Sequence, residues 1–196
     1  MRILLVTGIF PPDIGGPATY IPRLGEALGR KHEVQVVTLG DAQPGDLDYP
    51  FTLHRVARTG GTWRRRWRTV RLIRKLAYEV DVVLANGLFF ETALALPRST
   101  PAVAKVVGDT VWERARNSGE TELNCDEFQN DHGTLRLRAM HNVQSYCINA
   151  FRRVFTPSDY LRGIVQQWGV SSEKLSVIPN AVEIPPDGDQ HPEVDV

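Results

Sequence analysis

Short apolar runs recur along the chain, and glycine, proline or polar residues follow each of them. The first run, residues 3–6, ends at Thr7-Gly8. Ile21, Leu24 and Leu28 then follow at helical spacing. Uninterrupted apolar runs of this length are typical of strands buried on both faces of a parallel sheet. The alternation therefore predicts an α/β protein with a doubly wound, Rossmann-like parallel sheet.

The same pattern places the other elements. Further strands are predicted at 33–39, 52–56, 81–85, 102–107, 153–156 and 175–178, and further helices at 64–79, 91–96, 135–151 and 158–168. Ser158 is the expected N-cap of the last helix. Pro22 interrupts the first helix unless that helix begins late or kinks. Residues 112–133 are polar and weakly periodic, which predicts an excursion from the core, part helix and part loop.

Composition and charge exclude several classes of protein. The chain has 196 residues, of which 42% are hydrophobic and 23% charged, as in globular domains. Its 2 cysteines, without metal-ligand spacing, argue against a disulfide framework or a zinc site and predict reduced thiols. The 23 basic and 23 acidic residues give no bulk attraction to nucleic acid. We expect a cytoplasmic protein, because neither a membrane span nor a signal peptide is apparent. We also expect no metal and no organic cofactor.

One basic segment stands out from the even charge balance. Trp63 and Trp67 lie among a group of closely spaced cations, namely Arg64, Arg65, Arg66, Arg68, Arg71, Arg74 and Lys75. Two interpretations remain. The segment is a solvated helix face whose apolar stripe packs on the sheet, or its 63–68 end binds a phosphorylated substrate or contacts an anionic membrane peripherally. Trp63 and Arg66 are therefore candidate binding residues.

Polar and glycine residues follow several predicted strands, where open α/β sheets bind their ligands. Gly15 and Gly16 precede the first helix, without a G-x-G-x-x-G or P-loop pattern. Their amides either approach an anion at the helix N-terminus or form a plain tight turn. Asn86-Gly87 and Asn180 have the same two interpretations, as crevice-lining residues or as turn residues.

Asp109 follows a buried strand directly. Its carboxylate either projects into the crevice, where it orients a hydroxyl or acts as a base, or caps a helix that begins at Thr110 or Val111. As a cap it would be replaceable by asparagine. None of the 5 histidines shows paired metal spacing.

Three segments resemble the N-terminal domain of a retaining glycosyltransferase of the GT-B fold, in family 4. The first is 1–38, with strand, Pro-Pro, Gly-Gly, helix and HEVQVVT. The second is 80–87, VDVVLANG. The third begins with FTPSDYL at 155–161 and continues with Gly169-Val170, Lys174 and VIPNAVE at 177–183. The resemblance covers most of residues 1–184 but leaves 110–135 unmatched.

The resemblance implies transfer of a sugar from a nucleotide diphosphate sugar to a saccharide, lipid-linked or small-molecule acceptor. It further implies retention at the anomeric carbon, no protein nucleophile and no obligatory metal. Gly15 and Gly16 would face the donor diphosphate, and this half would supply the walls of the acceptor pocket. Residues 185–196 would form a linker toward an absent C-terminal Rossmann domain that binds the donor. The isolated half is then expected to be inactive.

Two departures from the family pattern matter. No histidine lies near Gly108-Asp109, so the family's sugar-contacting role is vacant or passes to Asp109. Ala181 also replaces the usual glycine after Asn180. Two alternatives to the glycosyltransferase interpretation stay open: half of a sugar-nucleotide epimerase of the same architecture, or a non-enzymatic Rossmann-like binding module.

Overall fold

In the computed structural model, which describes residues 1–181, seven strands pair side by side and every pair is parallel. The strands are β1 (Arg2–Thr7), β2 (Glu33–Leu39), β3 (Thr52–Val56), β4 (Val82–Asn86), β5 (Ala102–Lys105), β6 (Arg153–Thr156) and β7 (Leu175–Val177). The helices are α1 (Gly16–Gly29), α2 (Thr62–Ala77), α3 (Phe89–Ala95), α4 (Thr110–Asn117), α5 (Cys125–Asn130), α6 (Leu135–Asn149) and α7 (Asp159–Gln167). Short 3-10 turns occur at Pro44–Leu47 and Ser172–Lys174.

The sheet is covered on both faces, as the apolar runs predict. Successive residues of β1 belong to two different clusters, because side chains alternate across a strand. Ile3 and Leu5 pack with α1 residues such as Ile21, whereas Leu4 and Val6 pack with residues of α2, α3, α6 and α7. The predicted doubly wound, Rossmann-like class is confirmed.

The structure decides one alternative left open for the first helix and corrects the predicted end of the fifth strand. The first helix does not begin late: α1 starts at Gly16, and Pro22 lies buried inside it. Pro22 has no N–H, so α1 lacks one intrahelical hydrogen bond at that turn. Strand β5 ends at Lys105 and not at residue 107. The predicted N-cap at Ser158 is confirmed, since its hydroxyl accepts a hydrogen bond from the Leu161 N–H.

The excursion predicted at 112–133 contains most of α4 and the whole of α5. It has a small core of its own, in which Val111, Ala115 and Phe128 pack with Leu137 of α6. This cluster lies beyond the carboxyl end of β5. The excursion is therefore a packed structure at the edge where ligands of such sheets bind.

The strand order is β3-β2-β1-β4-β5-β6-β7, so the direction of winding reverses between β1 and β4. At that point Thr7, the last residue of β1, is paired with Asn86, the last residue of β4. A reversal of this kind opens a crevice at the carboxyl ends of the strands. The predicted linker at 185–196 lies outside the described residues. Within residues 1–181 no helix has both the length and the apolarity to cross a bilayer.

Candidate functional site

A cavity of about 260 Å³ opens at the carboxyl ends of the strands, beside the winding reversal. We call it the strand-end cavity. It is lined by Gly16, Pro17, Thr19, Tyr20, Arg23, Asn86, Lys105, Val107, Asn180 and Ala181. Three of the predicted site residues, Gly16, Asn86 and Asn180, are therefore brought together here from distant parts of the chain. No carboxylate is among these lining residues.

The N-terminus of α1 forms one wall of the strand-end cavity. Gly15 precedes the helix with φ 148° and ψ 166°, a conformation open essentially to glycine alone. Gly16 begins the helix, and a Cβ added there would meet no atom within 4 Å. The first-turn amides of a helix carry partial positive charge and lack intrahelical partners. This wall can therefore accept an anion that approaches the Gly16 backbone.

The loop between β1 and α1 is held in place by two arginines. The Arg58 guanidinium pairs with the Asp13 carboxylate and lowers the pKa of that carboxyl below its ordinary value. Arg55 donates a hydrogen bond of 2.6 Å to the Pro11 carbonyl and is itself paired with Asp46 at 2.7 Å. Preorganisation of the loop means that a ligand at Gly16 need not order it on binding.

Lys105 is a buried charged residue of the strand-end cavity that the sequence analysis missed. It is the last residue of β5, only 5% exposed, and its Nζ donates a hydrogen bond of 2.9 Å to Asn180 Oδ1. The same Nζ lies 3.5 Å from the centroid of the Tyr20 ring. A lysine inside an otherwise apolar run, AVAKVV, is the sequence signal that points to it.

Asn86 and Gly87 leave the sheet at the winding reversal. Asn86 is 3% exposed, and its buried Oδ1 has no hydrogen-bond partner among the described residues. Gly87 has φ 119°, and a Cβ added there would lie 3.2 Å from the Gly8 amide nitrogen. Gly87 does not line the cavity; its geometry gives it a structural reason to be glycine, and its predicted ligand contact stays a prediction.

A second and larger concavity lies between α2, α3, α4 and α6. We call it the helical groove; its volume is about 580 Å³. Its walls include Trp63, Arg65, Arg66, Phe89, Phe90, Glu91, Arg114, Met140, Val143 and Gln144. The groove adjoins the strand-end cavity through the loops that follow β4 and β5, since Asn86 lines the cavity and Leu88 lines the groove.

Trp63 and Arg66, both predicted as binding residues, lie in the helical groove. The Arg66 guanidinium stacks over the Phe90 ring at 5.0 Å, and its Nε lies 3.4 Å from Glu91 Oε1. Trp63 is 69% exposed, and Trp67, which does not line the groove, is 54% exposed. The basic and aromatic end of α2 is therefore open at the surface. The predicted membrane contact of this segment stays a prediction.

Asp109 does not lie in either concavity. Its side chain is 1% exposed, and Oδ1 accepts hydrogen bonds from the Val111 and Trp112 backbone amides at 2.9 and 3.1 Å. This is the geometry of an N-cap for α4, the alternative to a catalytic role. The structure thus favours the capping interpretation, and catalysis by Asp109 stays a prediction.

The Asp109 carboxylate also connects the excursion to the rest of the domain. Gln144 Nε2 donates to Oδ1 and Gln129 Nε2 donates to Oδ2, both at 3.0 Å. Gln129 Oε1 in turn accepts a hydrogen bond of 2.8 Å from Trp168 Nε1. His141 Nε2 lies 3.8 Å from Oδ2, and burial lowers the pKa of His141, an effect that Asp109 partly opposes. One buried carboxylate therefore joins α4, α5 and α6.

Cys147 lines the helical groove, whereas Cys125 lines neither concavity. Cys125 and Cys147 are both free thiols, and burial raises the pKa of each. Within residues 1–181 no group of three or more His, Cys, Asp or Glu side chains is arranged to hold a metal ion. The expectation that no cofactor is required stays a prediction.

Solved structures with the same fold include sugar-nucleotide enzymes. HepE of Anabaena, in complex with UDP, has a TM-score of 0.65 at 16% identity, over 93% of this chain and 45% of that one. The lipopolysaccharide outer core galactosyltransferase WaaB, in its apo form, has 0.60 at 15% identity, over 97% and 50%. UDP-N-acetylglucosamine 2-epimerase from Rickettsia bellii has 0.53 at 14% identity, over 90% and 44%. The chain spans about half the length of these proteins.

At such identities the solved structures establish the fold, which is that of the N-terminal domain of GT-B enzymes. A comparison with curated proteins gave no significant match. The model of the family described as Glycosyltransferase Family 4 matches residues 14–184. The chain therefore belongs to glycosyltransferase family 4, as the three sequence segments indicate.

Proposed function

We propose that this domain is the acceptor-binding half of a retaining glycosyltransferase that uses a nucleotide diphosphate sugar. The observation that carries the proposal is the pair of adjoining concavities at the carboxyl ends of the strands, in a chain of family 4. The strand-end cavity takes the phosphate side of the donor, and the helical groove takes the acceptor. A second Rossmann-like domain supplies the remaining contacts to the donor.

The chemistry of the strand-end cavity supports a donor with phosphate groups. The cavity combines the N-terminus of α1, the Lys105 ammonium and amide groups of Asn86 and Asn180. UDP is bound in the solved HepE structure, which has this fold. Retention is what the family resemblance implies. The lack of a carboxylate among the residues that line the cavity fits a reaction in which the protein provides no nucleophile there.

The composition of the helical groove supports an acceptor site. Apolar walls with a few polar groups are typical of small-molecule sites, and aromatic surfaces stack well against sugar rings and apolar carriers. Phe90 and Met140 give apolar surface, whereas Arg65 and Arg114 give positive charge. Part of this groove comes from the 63–68 end and from the 110–135 region, which the family resemblance leaves unmatched. Such excursions determine specificity on a shared scaffold.

Epimerisation is the second candidate, because the Rickettsia bellii epimerase has the same fold. An epimerase acts on the nucleotide sugar alone and needs no acceptor. Incubating a two-domain form of the enzyme with UDP-sugars, with and without acceptor, discriminates the two. A sugar isomer formed without acceptor would support epimerisation, and acceptor-dependent release of UDP would support transfer.

The isolated 196-residue chain is expected to bind nucleotide sugars weakly and to transfer none of them. Positioning of both reactants supplies much of the rate, and one domain holds only part of the donor. Binding is measured by NMR titration with UDP-glucose, and transfer by release of UDP in the presence of candidate acceptors. Steady transfer by the purified chain would contradict the requirement for a second domain.

Trp63→Ala is expected to raise the acceptor KM of the two-domain enzyme about tenfold, with the donor KM unchanged. The indole forms part of the groove wall and is largely exposed, so its loss removes contact area but little stability. Trp67→Ala is the matched control, an exposed tryptophan of the same helix outside the groove. The acceptor is first identified by screening saccharide, lipid-linked and small-molecule candidates. Equal acceptor KM values for the two variants would refute the groove assignment.

A further inference from the structure

The buried ammonium of Lys105 has no carboxylate partner within residues 1–181. It lies at the end of an apolar strand, and among residues 1–181 no Asp or Glu forms an ion pair with it. Removing a charge from water is costly unless hydrogen bonds and an opposite charge compensate for it. Burial accordingly lowers the pKa of Lys105 below its ordinary value. The domain tolerates this cost on the wall of its strand-end cavity.

The contacts of Lys105 leave part of its hydrogen-bonding capacity unused. An ammonium group has three N–H donors, of which one is directed to Asn180 Oδ1. The Tyr20 ring offers a cation–π contact, which holds the head group without neutralising its charge. The remaining donor capacity is available on a wall shared with Gly16 and Asn86.

The surroundings of Lys105 match one ligand chemistry. The N-terminus of α1, a helix of 14 residues, begins at Gly16 without a side chain in the way. Helix N-termini and lysine ammonium groups both favour phosphoryl oxygens. Asn86, which borders the same cavity, has a buried Oδ1 without a partner, and a sugar hydroxyl can donate to such an oxygen. A phosphate with a sugar attached satisfies all three features.

We propose that Lys105 binds a phosphate group of the substrate in the strand-end cavity, with Asn86 oriented toward the hydroxyls of the attached sugar. The inference rests on the proposed function and names a contact that the glycine loop alone does not provide. Two sources of the phosphate fit this chemistry: the diphosphate of the donor, or a phosphate on the acceptor. In either case Lys105 is a substrate-binding residue.

The test compares Lys105→Met, Lys105→Gln and Lys105→Arg in the 196-residue chain. Binding of UDP, inorganic diphosphate and glucose 6-phosphate is measured by NMR titration. We expect the Met variant to lose at least tenfold in affinity for the preferred probe and to melt no lower than the parent, because an apolar side chain replaces a buried charge. Lys31→Met, an exposed change of the same charge, is the matched control and should bind as the parent does.

The Gln variant distinguishes phosphate binding by Lys105 from a purely structural hydrogen bond between Lys105 and Asn180. Glutamine keeps an N–H for Asn180, so a purely structural contact predicts parental affinity, whereas a phosphate contact predicts the same loss as in the Met variant. Arg is expected to restore part of the affinity. Preference for UDP and diphosphate identifies the donor as the source, and preference for glucose 6-phosphate identifies the acceptor.

Two results overturn the inference, and they are distinguishable. If the parent binds UDP and the Met variant binds it equally well, Lys105 is not a phosphate ligand while the proposed function stands. If the parent binds none of the three probes and a two-domain form transfers no sugar, the proposed function fails together with the inference.

Discussion

An Asp109→Asn variant is expected to be less stable than the parent by about 1–3 kcal/mol, the cost of leaving buried polar groups unsatisfied. For a domain of this size the melting temperature should fall by roughly 2–12 °C. The reason is the second carboxylate oxygen. Oδ1 caps α4, but Oδ2 accepts from Gln129 Nε2. The amide oxygen of asparagine can replace Oδ1 as the cap of α4, but the NH2 group of the asparagine then faces the NH2 group of Gln129.

Gln129 has little freedom to relieve this conflict. Rotating its amide would direct Oε1 toward the introduced amide, but Oε1 already accepts the Trp168 Nε1 hydrogen bond. A double-mutant cycle tests the argument. Gln129→Glu alone places two carboxylates together and should destabilise strongly. The same change in the Asp109→Asn background restores an acceptor opposite the asparagine NH2 and should recover part of the stability.

Thermal melting and turnover of the same variants discriminate the two roles of Asp109. Thr134 is the N-cap of α6, and its hydroxyl accepts a hydrogen bond from the Leu137 amide. Thr134→Ala therefore measures the cost of losing an ordinary cap, about 1 kcal/mol. If Asp109 is a general base, Asp109→Asn instead keeps the parental melting temperature and loses on the order of 10²-fold or more in turnover of the two-domain enzyme. A parental melting temperature with reduced turnover would therefore refute the structural account.

A Gly16→Val variant is expected to fold like the parent and to lose on the order of 10²-fold or more in turnover of the two-domain enzyme. Apart from its chain neighbours and the nearby backbone of α1, a Cβ at Gly16 meets no atom of residues 1–181 within 4 Å, so the domain has room for the side chain. The same side chain would occupy the space through which a phosphate approaches the first-turn amides. Displacing a reactant by about 1 Å is enough for an effect of this size.

Two other glycines act as controls for Gly16. Gly163, in α7, also has open space around it and does not line the strand-end cavity. Gly163→Val therefore adds the same side chain away from that cavity. Gly15→Ala should destabilise the domain by about 1–3 kcal/mol, because Gly15 has φ 148° and its Cβ would lie 2.8 Å from Ile9 Cδ1. The dihedral constraint of this loop thus belongs to Gly15 and not to Gly16. If a folded Gly16→Val enzyme kept the parental turnover, the glycine loop would be interpreted as a plain turn that contacts no ligand.

The sheet was predictable from the sequence because a short strand that is buried on both faces is an uninterrupted run of apolar residues. The runs at 3–6 and 82–85 contain no polar residue, so the parallel class follows without any tertiary information. The position of Pro22 inside α1 was not predictable, since packing of the helix on β1 and β2 outweighs one lost hydrogen bond.

The candidate site was only partly predictable. Residues next to strand ends, such as Gly16, Asn86 and Asn180, are found by the rule that ligands bind at that edge. The same rule failed to separate Asp109 from Lys105. Both lie near the end of β5, and the direction of each side chain depends on where the strand stops. Asp109 turns inward because Gln129 and Gln144 approach from helices far along the chain, which no local pattern reveals.

The helical groove takes its walls from four helices whose opposite sides pack on the sheet or on one another. On α2, Trp63 faces the groove, whereas Ile73 is wholly buried in the core. Substitutions at exposed groove positions such as Trp63 therefore change the shape and charge of this surface without repacking the strands that form the strand-end cavity. Under the proposed function, surface substitutions alone can therefore change which acceptors such a domain binds, while the cavity proposed for the donor is retained.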